Sequence, residues 1–273
     1  SIFEDKEFRD SPFIWKLLPD ETNDGMLFKS TCMTQNLPES IEFTHELREL
    51  TDSFDNPPRF MVGETFGRPE DVAEFCKDRG LHSAFAFECT VVPFTAAAFR
   101  KLLSEYEKCF ADPQVPVWAF SNHDRTRRIS GLGGSTAKAK LNAAFQITAR
   151  GIPFFYNGEE AGMTDAALDK TDSLDPVSFP FKRLPAPIFN LINKKVNGAL
   201  NRDRVRTPMQ WDNSPNAGFC PAETTPWLPV NGNAASINVA AAQKDHGSIY
   251  NCIKNFLHFR TDSDVLRFGS LSI

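Results

Sequence analysis

Hydrophobic positions along this 273-residue chain alternate between two periods. Short, mainly apolar runs at Arg59-Phe60-Met61-Val62, Ser83 to Phe87, Val115 to Phe120 and Ile152 to Tyr156 read as strands. Between them, apolar residues recur every three or four positions. Phe43, Leu47 and Leu50 follow Pro38-Glu39-Ser40, and Val72, Phe75 and Cys76 follow Pro69, with Gly80 as the expected stop. Phe99, Leu102, Leu103 and Tyr106 follow Thr95, and Ala139, Ala143, Ile147 and Ala149 follow Ser135. These spacings predict helices, with Thr95 and Ser135 as caps and Glu70 and Asp71 in a favourable first turn. Strand and helix in alternation predict parallel units of the α/β class. Four strands are half of what a closed eight-stranded barrel needs, and on pattern alone an open sheet fits equally well.

The flanks break this rhythm. Residues 1 to 38 contain Pro12, Pro19 and the turn signal Asn23-Asp24-Gly25, and read as a long irregular surface segment. Residues 157 to about 244 are rich in Pro, Asn and Asp and show neither period. That is far beyond the ~15 residues at which structureless loops become uncommon. The embedded Trp211, Phe219 and Trp227 argue against disorder and for a functional loop. A last helix is expected over 245–262, then a strand from Arg267 to Leu271.

Composition narrows the function. At 41% hydrophobic and 24% charged, the chain suits one soluble domain or part of one. A net charge of -5 gives no basic face for a phosphate backbone, so no nucleic-acid partner is expected. No apolar run approaches the roughly 20 residues of a membrane helix, so no membrane partner is expected either. The N-terminus lacks a signal-peptide pattern, and cysteines read as buried free thiols lean toward a reducing compartment, so a cytoplasmic location is expected. Six cysteines without a C-x-x-C pair speak against zinc or redox chemistry, so no metal site is expected. Most of the 25 Phe are expected in the core.

Chemistry enters at two strand ends. Glu64 follows Val62-Gly63, and Asp124 follows Phe120-Ser121-Asn122-His123. Two carboxylates at one rim of a parallel sheet suit acid/base cleavage of a glycosidic bond. On spacing alone, two structural acids capping the following helices are favoured by roughly two to one. His123 reads as a donor to a sugar hydroxyl or as a packing residue. Gly131-Leu132-Gly133-Gly134 fails as a phosphate cradle, because position 136 is Thr and no strand runs into the turn. Arg206-Thr207-Pro208-Met209-Gln210-Trp211-Asp212 combines a planar donor, an aromatic face and carboxyl or amide groups, a sugar-binding mixture or a self-packed loop.

Several strings resemble the alpha-amylase superfamily of glycoside hydrolases, within it the alpha-glucosidase and oligo-1,6-glucosidase branch. They are VGETFG at 62–67, FSNHD at 120–124, GIPFFYNGEEAGM at 151–163, RTPMQWDNSPNAGF at 206–219, PWLPVN at 226–231 and TQNLPE at 34–39. The resemblance implies that the four strands are the fifth to eighth of a (β/α)8 TIM-type barrel, its second half, with a long loop insertion after the eighth strand. Residues 1–265 would then be a partial catalytic barrel, 157–244 its extended substrate-pocket loop region, and 266–273 the start of a C-terminal β domain. It implies that Glu64 is the general acid/base, Asp124 the transition-state-stabilising aspartate, His123 a contact to the first-subsite sugar and Arg206 the arginine closing over that sugar.

The family's nucleophile lies in a Gly-Phe-Arg-x-Asp string, which this chain lacks, and residues 2–12 resemble the segment directly after it. A retaining hydrolase of short alpha-linked glucosides is therefore expected, represented here without its nucleophile and inactive alone. No cofactor is implied, and the calcium ion that many relatives hold belongs to the absent half of the barrel. The partner is a small oligosaccharide. The alternatives are a transglycosylase or isomerase of the same branch, and a catalytically silent relative like the transporter heavy-chain ectodomains.

Overall fold

In the computed structural model, which describes residues 3–16 and 28–273, the expected alternation is present with strands only two residues long. In chain order the elements are α1 (Pro38–Asp52), β1 (Val62–Gly63), α2 (Pro69–Glu74), β2 (Ser83–Ala84), α3 (Ala96–Cys109), β3 (Val117–Trp118) and α4 (Arg128–Gly131). They continue with α5 (Thr136–Thr148), β4 (Ile152–Pro153), α6 (Ala186–Lys195), α7 (Val239–Lys244), α8 (Ile249–Thr261) and α9 (Asp264–Phe268). The caps act as the sequence predicts. Thr95 and Ser135 hydroxyls accept the N–H groups of Ala98 and Lys138 at 3.2 and 3.4 Å, satisfying donors that the first turn leaves open.

By contacts the chain divides into two compact units. The first comprises residues 1–118, 150–152 and 271–273, the second 119–149 and 153–270.

In the first unit, Val62 and Gly63 pair in parallel with Ser83 and Ala84. Phe85 bridges Val117 in parallel, and the Ile152 N–H donates to Pro116 O at 2.9 Å. The order is therefore β1, β2, β3, then Ile152. Phe60 stays outside the ladder, and the Met61 N–H is captured by His82 Nδ1 at 3.1 Å. Trp118, completely buried, packs edge-on against Tyr106 at 5.3 Å and donates Nε1–H to Arg150 O at 2.8 Å. Gly151 passes so close that a Cβ there would lie 2.4 Å from Trp118 Nε1 and 2.7 Å from Pro116 O, and its φ is +139°. Only glycine fits that crossing. Arg150 pairs with Glu107 at 2.9 Å and donates to Gln114 O at 2.8 Å, tying it to the end of α3.

In the second unit α5 packs on α8, with Ile129, Ala143, Ile147, Ile249 and Ile253 forming the core between them. Arg260 donates to Ile147 O and Ala149 O at 2.5 and 3.1 Å, closing carbonyls at the end of α5.

Several expectations are corrected. The 157–244 stretch is not structureless: it holds α6, α7 and 3-10 turns at Pro176–Phe181, Arg202–Val205 and Pro215–Gly218. Phe189 and Asn193 form the buried side of α6, continued by Val196 just after it, and the polar Asn193 hides that periodicity. The second helix stops at Glu74 rather than Gly80: the Cys76 and Lys77 N–H groups bond only three residues back, and Asp78 and Arg79 then adopt left-handed φ of 45° and 65°. Arg267 and Phe268 close α9 instead of opening a strand, since Ser263 caps that helix through Leu266 N–H at 3.4 Å. Many Phe, among them Phe54, Phe60, Phe179, Phe219 and Phe259, are exposed, while Phe75, Phe87, Phe110, Phe120 and Phe189 are buried.

Pro19 and the turn signal at 23–25 fall outside the described residues. Among the described residues no helix is long and apolar enough to cross a membrane, and no group of three or more His, Cys, Asp or Glu is placed to hold a metal ion.

Candidate active site

In the first unit, Glu64 stands exposed immediately after β1. It borders a cavity of about 430 Å³, whose walls include Phe43, Leu47, Phe66 and Leu81, with Gln35 and Asn36 as polar members. Asn36 Nδ2 donates to Phe66 O at 2.8 Å, holding the turn that follows Glu64. A carboxylate bordering a mainly apolar hollow is within reach of whatever ligand that hollow takes.

In the second unit, residues 119–124 leave β3 and end at Asp124. Ser121 anchors this segment. Its hydroxyl donates to Glu159 Oε1 at 2.7 Å and accepts the Arg128 N–H at 2.9 Å. Glu159 also accepts the Tyr156 N–H at 2.8 Å, and burial pushes its carboxyl above the usual glutamate range. The Asn122 side chain then accepts the Asp124 N–H at 2.9 Å, setting the turn that presents the aspartate.

Two arginines converge on Asp124. Arg202 Nη1 donates to its Oδ1 at 2.9 Å and Arg206 Nη2 to the same oxygen at 2.5 Å. Arg206 Nε also donates to His123 O at 2.8 Å, and His123 Nε2 lies 3.6 Å from Asp124 Oδ1. Among the described residues Asp124 Oδ2 accepts no hydrogen bond and is not one of the buried side-chain atoms left without a partner, so it keeps contact with solvent. Such an oxygen can accept a sugar hydroxyl or meet developing positive charge.

Arg202 is itself held by Asp175, through Nε to Oδ2 at 2.5 Å and Nη2 to Oδ1 at 2.7 Å. Their hydrogen bond lowers the Asp175 pKa below the usual aspartate range and raises that of Arg202.

Of the four residues singled out in the sequence, the structure gathers His123, Asp124 and Arg206 in one cluster, while Glu64 belongs to the other unit. The rest of the Arg206–Asp212 string does less than its composition promised. Thr207, Met209 and Gln210 are buried, and Gln210 donates to Asn233 Oδ1 at 3.1 Å as scaffolding. Arg202, Asp175 and Glu159 went unpredicted. Arg202 stands one helical turn before Arg206, a usable signal, whereas Asp175 reaches the cluster from a segment with no periodicity. Burial pushes the Cys76 thiol up to about 12.

A family profile described as the alpha amylase catalytic domain matches residues 13–269. A probable alpha-glucosidase of Rhizobium meliloti is 30% identical over 285 residues, covering 98% of this chain and 48% of that protein. An oligo-1,6-glucosidase of Parageobacillus thermoglucosidasius is 29% identical, covering 94% of this chain and 49% of that protein. Among solved structures, the alpha-glucosyl transfer enzyme XgtA superposes with a TM-score of 0.81 at 28% identity, over 99% of this chain and 49% of its own. The chain thus spans about half the length of the relatives it matches.

Proposed function

Because the chain belongs to the alpha-amylase catalytic domain family, we propose that it carries the acid/base and charge-stabilising part of a retaining enzyme acting on short alpha-linked glucosides. In this reading β1 to β4 are the fifth to eighth strands of the barrel, and the 157–244 region walls the sugar pocket. Glu64 protonates the glycosidic oxygen as a carboxylate attacks the anomeric carbon. Water then attacks the glucosyl-enzyme ester while Glu64 takes its proton, and the configuration is retained. Asp124 stabilises the positive charge that develops on the ring, His123 contacts a hydroxyl, and Arg206 closes over the bound glucose. The chain contains no Gly-Phe-Arg-x-Asp string, and in this reading the attacking carboxylate is supplied by a segment other than these 273 residues. Carboxylates and water suffice, and no cofactor enters.

The observation that supports this reading is the Asp124 carboxylate, with Oδ1 held by two guanidiniums and Oδ2 left in contact with solvent. The test is made in a polypeptide joining this chain to the nucleophile-bearing segment. Glu64→Gln is expected to slow release of p-nitrophenol from its alpha-glucoside by about 10²–10⁴-fold, and near-normal rates would remove the assignment. The likeness to XgtA favours a second reading, in which an acceptor sugar replaces water in the second step. Analysis of products from maltose or sucrose separates transfer or isomerisation from hydrolysis.

A further inference from the structure

Nothing in the reaction above uses Asp175, yet its placement is among the most constrained in the second unit. Its side chain is fully enclosed, at 0% exposure, and its two oxygens grip the Nε and Nη2 edge of Arg202. A two-point fork of this kind fixes the plane of a guanidinium as well as its position. The remaining nitrogen, Nη1, is thereby directed at Asp124 Oδ1.

Asp175 is fixed in turn by buried Asp203. Asp203 Oδ2 accepts the Leu174 N–H at 2.6 Å, the Asp175 N–H at 3.2 Å and the Ser173 hydroxyl at 3.1 Å. Asp203 is adjacent in sequence to Arg202, so the same short turn that presents the arginine also secures the loop that grips it. An enclosed ion pair is a poor device for stability alone, because desolvation offsets much of its attraction. As a device for orientation it is effective, since it removes the rotamer freedom of a long side chain before any ligand arrives.

We infer that Asp175 is a positioning residue of the Asp124 site: it holds Arg202 so that Asp124 is presented in one orientation to a glucosyl ligand. The inference rests on the reading of Asp124 as sugar-facing. Asp175 touches neither sugar nor reacting atoms and acts through Arg202.

The polypeptide joining this chain to the nucleophile-bearing segment is titrated calorimetrically with 1-deoxynojirimycin, a cationic glucose mimic, and exchange of the Arg202 Nε proton is followed by NMR. Asp175→Asn keeps an acceptor for the Val177 N–H that caps the following turn, and the melting temperature reports whether the fold is retained. The variant is expected to speed Arg202 proton exchange and to weaken the mimic's affinity, each by about tenfold. Arg202→Lys should weaken affinity comparably, and the double variant should be no weaker than either single, because both remove one linkage. Asp175→Glu should recover part of the loss.

Wild-type affinity and exchange in Asp175→Asn, or additive losses in the double variant, would overturn the inference. If the unaltered joined polypeptide does not bind the mimic, the sugar-facing reading of Asp124 fails. The exchange rate at Arg202 then decides separately whether Asp175 positions it.

Discussion

Arg127 lies completely inside the second unit. Its guanidinium donates to Asn157 O at 2.7 Å and Val205 O at 3.0 Å, and lies 4.7 Å from the centre of the Tyr156 ring. Its backbone N–H goes to Asp165 at 2.9 Å. Burial pulls its pKa below the usual arginine range, which marks how strongly the surroundings must hold the charge. One cation therefore joins the segment after Asp124 to those around 157 and 205. Lysine cannot reproduce the planar fork, and Arg127→Lys is expected to lower the unfolding free energy by about 2–4 kcal/mol, measured by urea denaturation. Glu159 gives a pH signature of the same origin and the opposite direction. Its folded pKa is raised by burial, so its contribution is fully present below the ordinary glutamate value and is lost as pH rises through the folded one. The urea midpoint of Glu159→Gln should accordingly vary less with pH over that window than the parent's, and equal slopes would remove this role.

The strand-and-helix ladder depends on contacts of very small tolerance. At the crossing of β3 and Gly151 the missing Cβ lets the Arg150 carbonyl reach Trp118. Gly151→Ala should destabilise the chain by about 1–3 kcal/mol through overpacking, and a thermal midpoint within a degree of the parent would exclude that account. The presence and order of α1, α3, α5 and α8 were legible in the sequence because apolar spacing, and for α3 and α5 the caps Thr95 and Ser135, are local properties. The strand bounds were not. Only Val117 and Trp118 of the expected 115–120 run join the ladder, a choice made by neighbours rather than by propensity. The same division separates the site residues. Asp124 and Arg206 sit in recognisable strings, while Asp175 is assembled from a loop whose course is set by Asp203, a buried acid no pattern marks.

On the scale of the whole chain, the family match runs over residues 13–269 while the relatives are about twice as long. Turnover by the retaining route needs a second carboxylate that these residues do not identify. The purified 273-residue chain is therefore expected to release no measurable p-nitrophenol from the alpha-glucoside, and strong turnover would show that a nucleophile is present within it. The four tryptophans offer a way to follow the chain during such work. Trp118 is sealed in the first unit at 0% exposure, whereas Trp15, Trp211 and Trp227 are 91%, 50% and 71% exposed. Intrinsic fluorescence should thus separate into a blue-shifted component that acrylamide does not quench and a red-shifted one that it does, the former reporting on the strand that leads to the acid at position 124.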